Sequence, residues 1–284
     1  MIKHKHCWIL LGAFFLSTIY TPFVQAAFLV SERQVQQTFE QRWEQTIKNV
    51  PLSRNASKRA LVQCVTKQII NKLDEPYRSY YDWEVKLFVD PRVQAEAFSM
   101  MEAGGIAVAE GIFKVVANQD ELAVIIGHEI VHILNKHPYE MKKRVQRADI
   151  GMNLATMVAA GKIADQTMRS QSDVVLAQTK ISGIGAMAQG ISRFGLQMPY
   201  KRNLEKEADI DGLLLMARAG FNPLAAISMW KKMIKQDNRK VPEHEYSSSH
   251  PSDEDRMNDL LLNQREALKQ YNAVESKPNC GYRR

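Results

Sequence analysis

Long apolar runs are scarce in this chain of 284 residues. Beyond the first 26 positions no stretch approaches the ~20 uncharged residues that a membrane-spanning helix requires. The region from 150 to 200 is rich in Ala, Gly, Met and Ser, but Lys162, Asp165, Arg169, Lys180 and Arg193 interrupt it. It reads as helices and a connection, not as spans. No internal repeat is visible, which argues against a solenoid or other array. Basic clusters such as "KKRVQR" at 142 to 147 lack any accompanying nucleic-acid motif, so no nucleic-acid partner is expected. Cysteine is sparse, with Cys7, Cys64 and Cys280 the only three.

What is present suits a globular protein: 45% hydrophobic and 24% charged residues, enough for one sizeable core. Lys3 and Lys5 precede the apolar "CWILLGAFFLSTIY", and "VQA" at 24 to 26 supplies the small residue that signal peptidase needs. Residues 1–26 are therefore expected to be a cleavable signal peptide. Cys7 lies too early to be a lipid-attachment cysteine, so export to the periplasm without a lipid anchor is expected. Losing Lys3 and Lys5 and no acid lowers the formal charge from +7 to +5. The remaining basic clusters fit solvated helix faces, or peripheral contact with an anionic membrane surface. Export also leaves Cys64 and Cys280 as an even pair in an oxidising compartment, which predicts a disulfide pinning the carboxy-terminal tail to an early helix. Two unrelated thiols are the alternative.

Periodicity sketches the elements. Ser31 with Gln34 is a capping box, and Val35, Phe39, Trp43 and Ile47 recur every four residues, as in an amphipathic helix. Leu61, Val65, Ile69 and Leu73 form one face of a second helix. "DWEVKLFVD" alternates like a strand, and a Gly-Gly turn then leads to another short strand around Ile106 to Ala109. Asn118 with Glu121 caps a strongly apolar helix predicted to run through 137 and stop at Pro138. "NLEKEADIDGLLLMARAGF" reads as a helix ended by Gly220, with Pro223 opening the next.

The apolar helix carries "GHEIVHILNKH" at 127 to 137. Positions i and i+4 lie about 40° apart on a helix of ~3.6 residues per turn, so His128 and His132 can aim two imidazoles at one ion. Glu129, a step around, can reach a water on that ion. A helix this apolar tolerates such residues only if metal or hydrogen bonds compensate their burial. A third ligand is available among the carboxylates of "EKEAD" at 205 to 209. His137, five residues past His132, is expected to face away from the pair.

Five segments then carry a resemblance: "AFSMMEAGGIAVAEGIF" at 97 to 113, "DELAVIIGHEIVHILNKH" at 120 to 137, "NLEKEADIDG" at 203 to 212, "AGFNP" at 219 to 223 and "HPSDEDR" at 250 to 256. In order and spacing the chain resembles the HtpX and CAAX prenyl endopeptidase family of zinc metallopeptidases, particularly its soluble exported members. The resemblance implies an α+β, mostly helical, zincin-like fold with a small sheet packed on the site helix. It implies one Zn2+ per chain held by His128, His132 and Glu205, with Asp209 supporting the ligands and Glu207 a surface charge. Glu129 is the implied general base, with His250 near the metal as transition-state stabiliser or as a latch, and His250 or Arg256 as oxyanion partner. The strand Gly105, Ile106, Ala107, Val108 and Ala109 is expected to pair its edge with an extended peptide.

Departures from the family narrow the reading. No multispan region is present, Glu96 stands where relatives have Asn, and Ala103 where they have Pro. The expected organisation is a leader at 1–26, packing helices at 27–80, a peptidase domain at 81–270 and a tail at 271–284. The expected function is an exported endopeptidase acting on unfolded or misassembled envelope proteins. The alternative is a chaperone or assembly factor whose zinc is latched by His250. Oligomeric state has no sequence signature here.

Overall fold

A computed structural model describes residues 31–89, 97–100, 104–167, 198–237 and 254–281, with a few more between 179 and 187. The leader at 1–26 and His250 lie outside the described residues. In chain order the elements are helices α1 (Glu32–Asn49), α2 (Ala56–Ile70) and the single turn α3 (Tyr77–Tyr80), then strands β1 (Glu84–Phe88), β2 (Ala97–Met100) and β3 (Gly105–Ala109). Helices α4 (Gln119–Leu134), α5 (His137–Thr167), α6 (Met198–Arg218), α7 (Ala225–Asp237) and α8 (Glu254–Ala273) follow. None of the described helices is long and apolar enough to cross a membrane.

The chain divides into two compact units, one drawn from residues 1–35 and 142–192, the other from 36–141 and 193–284. In the first, the described residues supply the start of α1 and most of α5. There Ser31 N–H donates to Gln34 Oε1 and Gln34 N–H to Ser31 Oγ, the reciprocal pair of a capping box. The second unit holds the sheet, α4 and the helices packed around it. Residues 36–80 share this unit with residues 81–141.

Its core explains the element pattern. Asn55 caps α2 by accepting from Lys58 N–H, and the face of Leu61, Val65 and Ile69 is buried against α4. The three-stranded sheet has the order β1-β3-β2, with β1 parallel and β2 antiparallel to β3. Leu87, Ile106 and Val108 join the main core on one face, while Phe88 and Ala107 pack with Trp43 on the other. The Trp43 ring lies where a Cβ on Gly105 would stand, 2.9 Å away, so only glycine admits the indole, whose Nε1 donates to Glu84 Oε2.

Two expectations need correction. The strand Gly105, Ile106, Ala107, Val108 and Ala109 is the middle strand, paired on both sides, and so has no edge to offer a peptide. Each of its residues is buried, which the alternation of one short segment could not distinguish from an edge. The outer side of β1 is partly taken by residues 51–53, through Ser53 N–H to Leu87 O and Val89 N–H to Pro51 O. Among the described strands, β2 keeps one side unpaired, and it lies beside α4. The second correction is that α4 ends at Leu134 rather than at Pro138. Lys136 adopts a left-handed φ of 51°, and Pro138 sits in the first turn of α5, where proline lacks no needed N–H.

Helix α4 starts as expected, with Asn118 accepting from Glu121 N–H while the Glu121 carboxylate accepts from Ala117 N–H. Glu121 is also held by Lys232 Nζ at 2.6 Å and by the Ser228 hydroxyl on α7. Midway along its length α4 crosses α6 almost backbone to backbone. A Cβ on Gly127 would stand 2.9 Å from Gly212 O, and one on Gly212 would stand 2.8 Å from His128 N. The tail closes over the start of α4: Gln119 donates to Pro278 O and accepts from Cys280 N–H, and Cys280 forms a disulfide with Cys64 on α2. Gly220, at φ 84°, ends α6 with Pro278 packed against it.

Three outcomes are expected. Gly212→Ala should cost about 2–3 kcal/mol, because its methyl meets backbone that cannot rotate away; thermal melting should show a loss of several degrees. Cys64→Ser opens a closed loop with a sequence separation of 216 and should cost up to roughly 4–5 kcal/mol. Peptide mapping after alkylation without reductant should find neither Cys64 nor Cys280 labelled.

Candidate metal centre

The crossing at Gly127 and Gly212 brings one face of α4 onto one face of α6, placing the Nε2 atoms of His128 and His132 beside the Glu205 carboxylate. One ligand atom from each of the three lies within 4.8 Å of the others. His128 Nε2 is 3.0 Å from His132 Nε2 and 3.4 Å from Glu205 Oε2, and His132 Nε2 is 3.8 Å from Glu205 Oε1. All three residues are buried. Glu129, the next residue on α4, is fully buried as well.

A second layer of polar groups orients this cluster. Asp209, one turn beyond Glu205 on α6, puts Oδ1 3.0 Å from His128 Nδ1. Arg256, from α8, donates through Nε to Asp209 Oδ2 at 2.6 Å and through Nη2 to Oδ1 at 2.8 Å, and its Nη2 stands 3.4 Å from Glu205 Oε2. Trp230 on α7 covers the guanidinium at 4.5 Å. Arg256 therefore holds the carboxylates. At 1% exposure, with its fork engaged and an aromatic face over it, it is not placed to bind an oxyanion on a substrate. The expected catalytic role of Arg256 is corrected accordingly: the sequence interval from His250 to Arg256 carries no information about which way the guanidinium points.

Electrostatics favours a cation at the convergence. Burial by itself would lower the pKa of His128, but hydrogen bonds and charges from Asp209 and Glu205 outweigh it and raise the value to about 10. In the metal-free protein a proton thus occupies the site. A divalent ion that displaced this proton would meet the Nε2 lone pair of His128, whose Nδ1 proton is committed to Asp209, next to the Nε2 of His132 and a carboxylate. Two imidazole nitrogens 3.0 Å apart compare with ~3.3 Å for donors at ~2.05 Å around a tetrahedral ion. Two histidines and one glutamate are also the donor set of an open catalytic zinc site. The residues fit a bound divalent ion.

His137 departs from expectation. It is buried, its Nδ1 lies 2.8 Å from His132 Nδ1, and its Nε2 lies 3.5 Å from Glu207 Oε2. Burial first, and the charge of His128 second, lower its pKa to about 4, so it is neutral. The helical wheel failed here because α4 had already ended, and the bend at Lys136 turns the chain back. Asn135 before a His-Pro pair was the available signal, a helix stop followed by a helix start. Glu207 is half exposed but accepts from Asn135 Nδ2 at 2.7 Å, so it is more than a free surface charge. Trp230 had no signal at all in the sequence. Asp209 stands against His128, whereas His250 lies outside the described residues.

The comparisons agree with this geometry. The model of Peptidase family M48 matches residues 56–263. The mitochondrial metalloendopeptidase OMA1 of Saccharomyces cerevisiae is 30% identical over 183 residues, covering 63% of this chain and 46% of the relative. The human mitochondrial metalloendopeptidase of the same name is 29% identical over 217 residues, covering 74% and 38%. The beta-barrel assembly-enhancing protease of Escherichia coli is 26% identical over 156 residues, covering 55% and 30%. The chain spans less than half the length of these relatives. With the family model matched from α2 into α8 and the H-E-x-x-H pair meeting a glutamate two helices on, the chain belongs to the M48 family of metallopeptidases.

Proposed function

We propose that this chain is a zinc-dependent endopeptidase that hydrolyses extended segments of unfolded or misassembled proteins in the bacterial envelope. The observation that carries the proposal is the buried convergence of His128, His132 and Glu205 with Glu129 on the same helix. Envelope quality control is supported by the relatives named beta-barrel assembly-enhancing proteases and by the leader read at residues 1–26. The mitochondrial relatives share the chemistry rather than the compartment.

A zinc ion held by the three ligands would supply Lewis acidity, polarising the scissile carbonyl and making water acidic enough to lose a proton near neutral pH. The protein's own groups do the remainder. Glu129 accepts the proton of the attacking water and delivers it to the departing amine. Asp209, accepting from His128 Nδ1–H, keeps the Nε2 lone pair directed inward, and Arg256 holds Asp209 and Glu205 in place. An extended substrate would pair with the unpaired side of β2, the strand beside α4. Main-chain pairing reads backbone, so side-chain specificity should be loose.

Three results test this. Purified protein should cleave casein, and Glu129→Gln should reduce the rate about 10²–10⁴-fold with an unchanged melting temperature. Unimpaired cleavage by Glu129→Gln would remove the base from the mechanism. A chelator should abolish cleavage and lower the melting temperature by roughly 5–10 °C, because the ion binds only the folded site. Readdition of zinc should restore both.

A further inference from the structure

Resting on the reading that His128, His132 and Glu205 take a divalent ion, we propose that His137 is a positioning residue for His132. Its Nδ1 accepts the Nδ1–H of His132, fixing the tautomer and ring plane that leave His132 Nε2 for the metal. His128 receives the corresponding service from Asp209, whose Oδ1 is 3.0 Å from its Nδ1. For His132 an imidazole stands in that place. The group at hydrogen-bond distance from its Nδ1 is His137 Nδ1, at 2.8 Å.

Proton bookkeeping fixes the direction of each bond. A metal ligated through His132 Nε2 needs the ring proton on Nδ1, and a proton there requires an acceptor. His137 provides one with its Nδ1 lone pair, which places its own proton on Nε2. That Nε2 has no hydrogen-bond partner among the described residues; the Glu207 carboxylate, whose Oε1 is held by Asn135 at 2.7 Å, brings Oε2 to 3.5 Å and acts on it as a nearby charge. The hydrogen-bonded series thus runs from the His137 imidazole to the His132 imidazole and on to the metal position, with the Glu207 charge beyond its outer end. Were His137 to carry its proton on Nδ1, it would donate to His132 and drive that ring's proton to Nε2. There it would compete with the ion.

The backbone is built for this approach. Asn135 N–H still reaches back to Val131 O and Lys136 N–H to Ile133 O, and then the left-handed Lys136 reverses the chain. His137 opens α5 with 3% of its surface exposed. Its ring meets that of His132 edge to face, with centroids 4.9 Å apart. A lysine in the left-handed region is an unfavoured choice at a tight turn, and it returns a histidine to the site that helical continuation would have carried away.

The test is zinc affinity, measured by competition with a chromophoric chelator, together with the melting temperature of each metal-free protein. His137→Phe removes the acceptor and keeps a flat ring; it should weaken zinc binding about 10–100-fold. His137→Asn places an amide oxygen near the lost Nδ1 and should recover affinity to within a few-fold of wild type, which a role in packing alone would not produce. Equal affinity in wild type and His137→Phe, or Asn binding as weakly as Phe, would overturn the proposal. If the Phe variant does not fold, the wild-type zinc protein decides the matter through 15N NMR of its histidines. A proton on His132 Nδ1, with coupling to His137 Nδ1, is expected; a proton on His137 Nδ1 would overturn it. A wild-type chain that takes up no zinc defeats the metal reading itself, and is distinguishable from a failure of His137 alone.

Discussion

Everything at the centre depends on two helices being allowed to touch backbone to backbone. Gly127 and Gly212 remove the Cβ atoms that would otherwise wedge α4 from α6, and the contact falls immediately beside His128. From that crossing, one residue along α4 gives the first histidine and one further turn gives the second. One turn back along α6 gives Asp209, and a second turn gives Glu205. The ligands need no loop to bring them together; the spacing of two regular helices does it. Rigid elements also hold donors more reproducibly than loops, which matters for a site whose ligands must close on one ion.

Concentrating charge in a dry interior would ordinarily destabilise it. The site answers by pairing Arg256, Asp209, Glu205 and His128 with one another. Arg256 bridges Asp209 and Glu205, Asp209 engages His128, and Trp230 covers the guanidinium so that its flat face meets an aromatic rather than aliphatic surface. Removing any member leaves a partner buried with its charge exposed to an apolar environment, so these residues serve folding and metal affinity at once. Away from the ligand cluster, Lys232 and Ser228 on α7 hold Glu121 in the first turn of α4, and Gln119 ties the same turn to the tail. The site helix is anchored at the end opposite its ligands.

Much of this was legible because it is local or periodic. The i and i+4 histidines, the Asn118 cap, the glycine stop at Gly220 and the buried face of α2 follow from helix geometry alone. The even pair of cysteines left beyond the expected leader anticipated the bond between Cys64 and Cys280. What escaped depends on where the chain goes between elements. Strand order is a long-range property, so a segment that alternates correctly became the middle of the sheet rather than its edge. His137 was misjudged by extending a helix past its true end, and Arg256 was given a substrate because its carboxylate partners are 47 and 51 positions away. The third ligand came from family resemblance: several acids of "EKEAD" were chemically eligible, and only the face of α6 that meets α4 selects among them.

The bond between Cys64 and Cys280 has a bearing on how such a protein would survive the proteolysis proposed for it. Most of the unit that holds the candidate metal site lies between these two residues. If one copy cut another at an accessible position in that interval, the two pieces would stay covalently joined through the bridge. On a non-reducing gel the nicked molecule would keep its full mass, and autolysis would become visible as fragments only after a thiol reagent had been added.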